Sequence, residues 1–249
     1  MRIGLVSYRC KDKDISFNMS QIERALHDTA GHVDLLCFGE AFLQGFNSLC
    51  WDYEVDKNLA MEKESDEIKK LQRWTEQYQV AILTGYVEKE GDVLYSSCIT
   101  ISEGKIIHNY RRISKGWKEY TITDEHYQEG TSVNSFCLYG EEITIALCGD
   151  LWDFPERFKT NNLLIWPVYV TFTIEDWKQV ESDDYAKQSF LAAKDVLMIN
   201  PIDIEGKNHG GSSYFHSGKL VKRTSYDEEQ IIIVNYGEVK NGRFQDNTI

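Results

Sequence analysis

Apolar strand-like runs and amphipathic helical runs take turns through the N-terminal third of the chain, and that alternation leaves few architectures open. Residues 3–8 form a continuous apolar run of the kind a buried strand carries, and Ile15, Met19, Ile22 and Leu26 follow at helical spacing. Residues 33–38 make a second apolar strand. After a Trp- and Tyr-bearing loop, Ile68, Leu71, Trp74 and Tyr78 mark a second amphipathic helix, and residues 80–86 a third strand. The β-α-β-α-β order predicts an α/β layered fold.

Hairpins dominate the middle. Residues 94–102 and 105–112 flank the tight-turn pair Glu103-Gly104, and residues 135–138 and 143–148 flank Gly140. Then come a strand at 163–166, a helix at 185–194, a strand at 196–200, a hairpin of 213–216 and 220–223 about Gly218, and a last strand at 231–236. About twelve strands against about four helices imply large mixed sheets with helices on their outer faces. With 3 prolines, 17 glycines and no repeat or composition break, the chain has little room for a linker. One domain over residues 1–249 is expected.

The 249 residues carry 40 Asp+Glu against 27 Lys+Arg, a formal charge of −13. An acidic chain of this kind argues against tracking nucleic-acid phosphates or adhering to anionic lipid. Its 6 cysteines include no CxxC pair and no Cys/His cluster with zinc-ligand spacing. The N-terminus enters a strand-like run with no signal-peptide pattern, and no apolar run approaches the ~20 residues of a membrane span. These features predict a reduced, cytoplasmic protein in which most thiols are small buried hydrophobes and one or two carry chemistry.

Three segments place a reactive or charged residue where an apolar strand stops, the position at which α/β sheets tend to set ligand sites. Glu40 follows Cys37-Phe38-Gly39; it is either a surface loop residue or a desolvated base with a raised pKa. Cys148 ends the run Ile145-Ala146-Leu147 and precedes Gly149-Asp150. A thiol on such a turn is exposed for attack, and a backbone N–H such as that of Gly149 faces a developing oxyanion; the competing reading is a structural cysteine. Between them, residues 104–117 end a strand in Tyr110-Arg111-Arg112, basic residues that are either solvated or delivered into a pocket.

Taken in order, these segments resemble the nitrilase, or carbon–nitrogen hydrolase, superfamily, whose members use a Glu, a Lys and a Cys at the ends of three strands. Phe38-Gly39-Glu40 is similar to the first motif, and Gly104 through Arg112 to the strand that ends in Tyr-Arg-Lys. Cys148-Gly149-Asp150 followed by Phe154-Pro155-Glu156 is similar to the nucleophile motif, with one extra residue before the proline. Trp166-Pro167, Asn200 and Gly211-Ser212-Ser213 match supporting features in the same order. The resemblance implies a four-layer α-β-β-α sandwich of two mixed sheets, pairing as a homodimer through a helical face, and a reaction that needs no metal or organic cofactor.

It also implies roles. Glu40 is the base, Cys148 the nucleophile, and Arg112 stands where the family has its lysine. Arginine keeps a permanent charge and a donor fork but does not exchange a proton as a tuned lysine does; Lys115 is the alternative cation. Glu125, a few positions before Gly130, matches a second acidic residue of the family, with Glu119 competing. The implied activity is hydrolysis of a small amide, or a nitrile, through a thioester. Two alternatives stay open: a weakened member that binds a small amide or carboxylate, and an N-acyltransferase. Trp117, Trp152, Trp166 and Tyr169 are either pocket-lining or core.

Overall fold

The computed structural model describes residues 1–239, which contain two six-stranded mixed sheets. In chain order the strands are β1 (Arg2–Ser7), β2 (Arg9–Cys10), β3 (Leu35–Cys37), β4 (Ala81–Glu90), β5 (Val93–Ser102), β6 (Lys105–Arg111) and β7 (Phe136–Leu138). They continue as β8 (Glu141–Ile145), β9 (Leu163–Pro167), β10 (Asp195–Ile199), β11 (Ile202–Asp203), β12 (Ser213–His216), β13 (Lys219–Arg223) and β14 (Gln230–Asn235). One sheet has the order β14-β1-β3-β4-β5-β6 and the other β13-β12-β10-β9-β8-β7, while β2 and β11 form a small pair of their own. Each large sheet has three parallel strands at its centre, β1-β3-β4 and β10-β9-β8, and antiparallel strands outside them.

The period-2 alternation of each strand sorts side chains between layers. Ile3, Leu5, Leu35, Cys37, Ala81 and Leu83 share a buried cluster with Ile143, Ile145, Leu163 and Ile165 of the other sheet. The alternate positions Val6, Leu36, Phe38 and Ile82 pack instead with Met19, Ile22, Leu71 and Trp74. Those four belong to α1 (Ile15–Asp28) and, after the short α2 (Tyr53–Asp56), to α3 (Asp66–Tyr78). Asp14 caps α1 by accepting from the Phe17 N–H, and Ser65 caps α3 by accepting from Ile68. The second sheet is covered by a short turn of helix α4 (Asp150–Asp153) and by the segment α5 (Ile174–Asp176) to α6 (Ser182–Phe190). This is the expected four-layer sandwich.

Three expectations change. The helix placed at 185–194 begins at Ile174 and ends at Phe190. Its middle, Trp177–Glu181, is π-helical, and a wider turn shifts the 3.6-residue repeat so that no continuous apolar stripe is legible. The strand placed at 143–148 stops at Ile145, leaving Cys148 on a turn beyond the sheet. Of the six cysteines, all free, Cys10, Cys37 and Cys98 are buried, Cys50 and Cys137 are exposed and Cys148 is half-buried, so buried thiols are half of the set rather than most of it. No helix among the described residues is long and apolar enough to cross a membrane.

Candidate active site

Glu40 is fixed by the turn that follows β3. Its N–H donates to Val168 O at 3.3 Å, while Gly85 N donates to Gly39 O at 3.1 Å and Leu43 N to Gly85 O at 3.2 Å. This close approach of β4 requires glycine: a Cβ at Gly85 would stand 2.4 Å from Ala41 N and 2.5 Å from Gly39 O. The Glu40 side chain is buried, with Oε1 accepting from Ser96 Oγ at 3.1 Å and from Arg112 Nη1 at 2.8 Å. Oε2 is buried with no hydrogen bond of normal geometry.

Arg112 is the first residue after β6. Its N–H donates to Ser96 O at 2.9 Å, its carbonyl accepts from Gly130 N at 2.8 Å, and its Nε donates to Ser114 Oγ at 2.7 Å. Burial works against the guanidinium charge, but Glu40 and Asp150 outweigh it, and its pKa is raised. Asp150 fastens this loop to the nucleophile turn. Its Oδ1 accepts from the N–H groups of Ile113 and Ser114 at 3.1 and 2.8 Å, and its Oδ2 from Tyr110 Oη at 2.6 Å and Leu147 N at 2.9 Å.

Cys148 sits at φ 39°, a left-handed conformation that non-glycine residues rarely adopt and that functional turns often hold. Its N–H donates to Pro167 O at 3.0 Å and its carbonyl accepts from Trp166 Nε1 at 2.9 Å. The sulfur lies 4.0 Å from Tyr169 O. Desolvation pushes the thiol up to about 12, Glu40 adds to the rise by its charge and by a side-chain contact, and Arg112 opposes it. Burial thus favours the protonated form of this thiol.

A cavity of about 280 Å³ is lined among others by Phe46, Leu49, Trp51, Gly116, Trp117 and Glu119, with none of Glu40, Arg112 and Cys148 in its wall. Phe46 stacks on Tyr169 with ring centroids 4.5 Å apart, and Gly116 lies against the Arg112 guanidinium. Asp56 ties its two flanking loops together, accepting from Trp51 N at 2.9 Å and from Tyr127 Oη at 2.7 Å.

The structure thus brings Glu40, Arg112 and Cys148 together. It does not bring Glu125 to them: that residue is exposed, makes no ion pair with the three, and offers its carbonyl to Gln128 Nε2. The loop turns Tyr127 inward to Asp56, which leaves Glu125 facing solvent. Glu119 is exposed on the cavity rim and Lys115 is exposed. Of the aromatic residues, Trp117 lines the cavity, Trp166 is core, Trp152 is partly exposed and packs edge-on against Tyr185, and Tyr169 places its carbonyl near the sulfur. Ser96, Ser114 and the carboxylate role of Asp150 are not legible in the sequence; the one visible signal is the adjacent pair Ser96-Ser97 within a buried strand. Among the described residues, no three His, Cys, Asp or Glu groups are placed to hold a metal ion.

A sequence profile of the carbon–nitrogen hydrolase family matches residues 2–236. The chain belongs to this family. Among curated proteins, it is 23% identical to a probable nitrilase of Schizosaccharomyces pombe, over 94% of this chain and 87% of that one. It is 25% identical to an (R)-stereoselective amidase of a Pseudomonas species, over 63% of this chain and 54% of the amidase. Among solved structures, a CN-hydrolase superfamily protein of Xanthomonas campestris superposes with a TM-score of 0.77 at 16% identity, covering 97% of this chain and 93% of that one. An amidase of a Nesterenkonia species gives 0.73 at 15% identity, with 98% and 96% covered. At such identities the superpositions establish the fold.

Proposed function

We propose that this carbon–nitrogen hydrolase cleaves a non-peptide C–N bond in a small amide through a thioester on Cys148. Glu40 Oε2 takes the thiol proton as sulfur attacks the carbonyl carbon. Arg112 and the N–H of Gly149 stabilise the tetrahedral oxyanion. The proton on Glu40 passes to the nitrogen as the C–N bond breaks, releasing ammonia or an amine. Water then attacks the thioester, giving its proton to Glu40, and the acid leaves as the sulfur is reprotonated.

The observation that carries this reading is the placing of one buried Glu40 oxygen, free of any other hydrogen bond, next to the Cys148 thiol. Arg112 occupies only the other oxygen, so the base stays free while its charge is balanced. The names of the aligned relatives, an amidase and a probable nitrilase, are consistent with it.

Ammonia release across a panel of amides and nitriles, with Cys148→Ala as control, tests the proposal. Turnover of one or more amides and none by the variant is expected; undiminished release by the variant overturns it. Mass spectrometry of quenched turnover should find the acyl group on Cys148, and product analysis with added amines separates hydrolysis from acyl transfer. We also propose a homodimer joined through the helical layer of the second sheet, where Val180, Phe190 and Leu191 are each about half exposed. A monomer in sedimentation at micromolar concentration would remove it.

A further inference from the structure

Two glycines from different segments face one nitrogen of Arg112. A Cβ on Gly149 would stand 2.4 Å from Nη2, and one on Gly116 would stand 3.1 Å from the same atom. Neither glycine is needed for its backbone. Gly149 lies at φ −62° and ψ −12°, open to any residue, and Gly116 is not among the residues with positive φ. What both supply is room. The guanidinium has no slack to give, since it is buried, held at Nη1 by Glu40 and at Nε by Ser114.

The same bonds divide the work of the fork. Nη1 and Nε are engaged, whereas Nη2 makes no hydrogen bond among the described residues. The N–H of Gly149 beside it makes none either. Two unengaged donors at the end of the nucleophile turn form the beginnings of a site for a developing negative oxygen.

We propose that Gly149 and Gly116 are positioning residues that fit an arginine into the cation place of this site, leaving Nη2 as the donor to the acyl oxygen. The inference rests on the hydrolase reading above. A lysine ends in a single nitrogen and has no Nη2 to fill the notch, so with lysine at 112 a Cβ at 149 keeps only the 3.2 Å approach to Ser114 Oγ, which a hydroxyl can turn away from, whereas with arginine it collides with Nη2. The residue after the nucleophile and the identity of the cation are therefore coupled.

Four proteins test this: the parent, Gly149→Ala, Arg112→Lys and the double variant. On an amide that the parent hydrolyses, Gly149→Ala should lower kcat about 100-fold, with KM changing far less, because a donor misplaced by about 1 Å costs that much. In the Arg112→Lys background the same change should cost less than about threefold. A ratio of the two effects above ten supports the coupling, and a ratio below ten overturns it. Gly116→Ala, a milder intrusion, should show the same dependence at smaller size.

If the parent hydrolyses no amide, the hydrolase reading fails, but the coupling is still decided by the rate at which iodoacetamide alkylates Cys148. A nearby guanidinium charge favours the thiolate, so Gly149→Ala should slow alkylation only with Arg112 present, and equal slowing in both backgrounds overturns the inference. Should Gly149→Ala fail to fold, failure confined to the Arg112 background supports it and failure in both overturns it.

Discussion

Two serine–glutamate–arginine clusters lie back to back on β5 and β6. Ser97, Glu88 and Arg111 form one, and the adjacent Ser96 and Arg112, on the opposite face, form the other with Glu40. Glu88 is fully served: Oε1 meets Arg111 Nη2 at 2.8 Å and Lys63 Nζ at 3.2 Å, while Oε2 accepts from Ser97 at 2.6 Å and from Asn109 and Arg111 Nε at 2.9 Å. Burial alone would raise its carboxyl, but hydrogen bonds from Arg111, Ser97 and Asn109 prevail and hold it at about 2. Glu40 receives two hydrogen bonds on one oxygen and none on the other. The same three residue types make a structural tie where every acceptor is satisfied, and leave an open acceptor where one oxygen of Glu40 is spared.

Substituting each glutamate should separate the two roles. In the proposed mechanism Glu40→Gln removes the proton acceptor, and kcat should fall about 10³-fold in amide turnover. Glu88→Gln should leave kcat per folded molecule within about threefold while costing on the order of 3 kcal/mol in urea unfolding, since it leaves Arg111 without its buried counter-charge. Equal inactivation by the two would erase the distinction.

Acid should find the saturated cluster. The Glu88 carboxyl is lower in the folded chain than its ordinary 4.5, so the unfolded state takes up the proton first. Its contribution is complete above pH 4.5 and is lost as pH falls toward about 2, amounting to about 3 kcal/mol over that window. Glu88→Gln should flatten this part of the stability–pH profile; an unchanged slope would count against the assignment. The smallest effects belong to the serines. Ser97→Ala should cost about 1–2 kcal/mol of stability with activity kept, because Glu88 loses its shortest hydrogen bond. Ser96→Ala should lower kcat by about threefold or less in amide turnover, since Glu40 Oε1 loses one of the two donors that hold the carboxylate in place.

Most of the sandwich was legible because its signals are local. The runs around Leu35 and Ile165 and the stripe of Ile68, Leu71 and Trp74 announce buried strands and an amphipathic helix within a few residues of themselves. Glu40 and Cys148 stand out as candidates for a related reason: each lies just past an apolar run. The helix from Ile174 was not, because its π turn breaks the repeat that would reveal it. Glu125 misled because spacing before Gly130 says nothing of which side of a loop faces inward, and Tyr127 takes that side.

The sequence by itself determined the layers and the order of the strands along the chain, since residue periodicity is a property of neighbours. Only the tertiary structure decided which glutamate keeps a free oxygen and which glycines make room for Arg112. Those outcomes depend on how residues 40, 88, 112, 116 and 149, far apart in the chain, share donors, acceptors and space once the strands are in register.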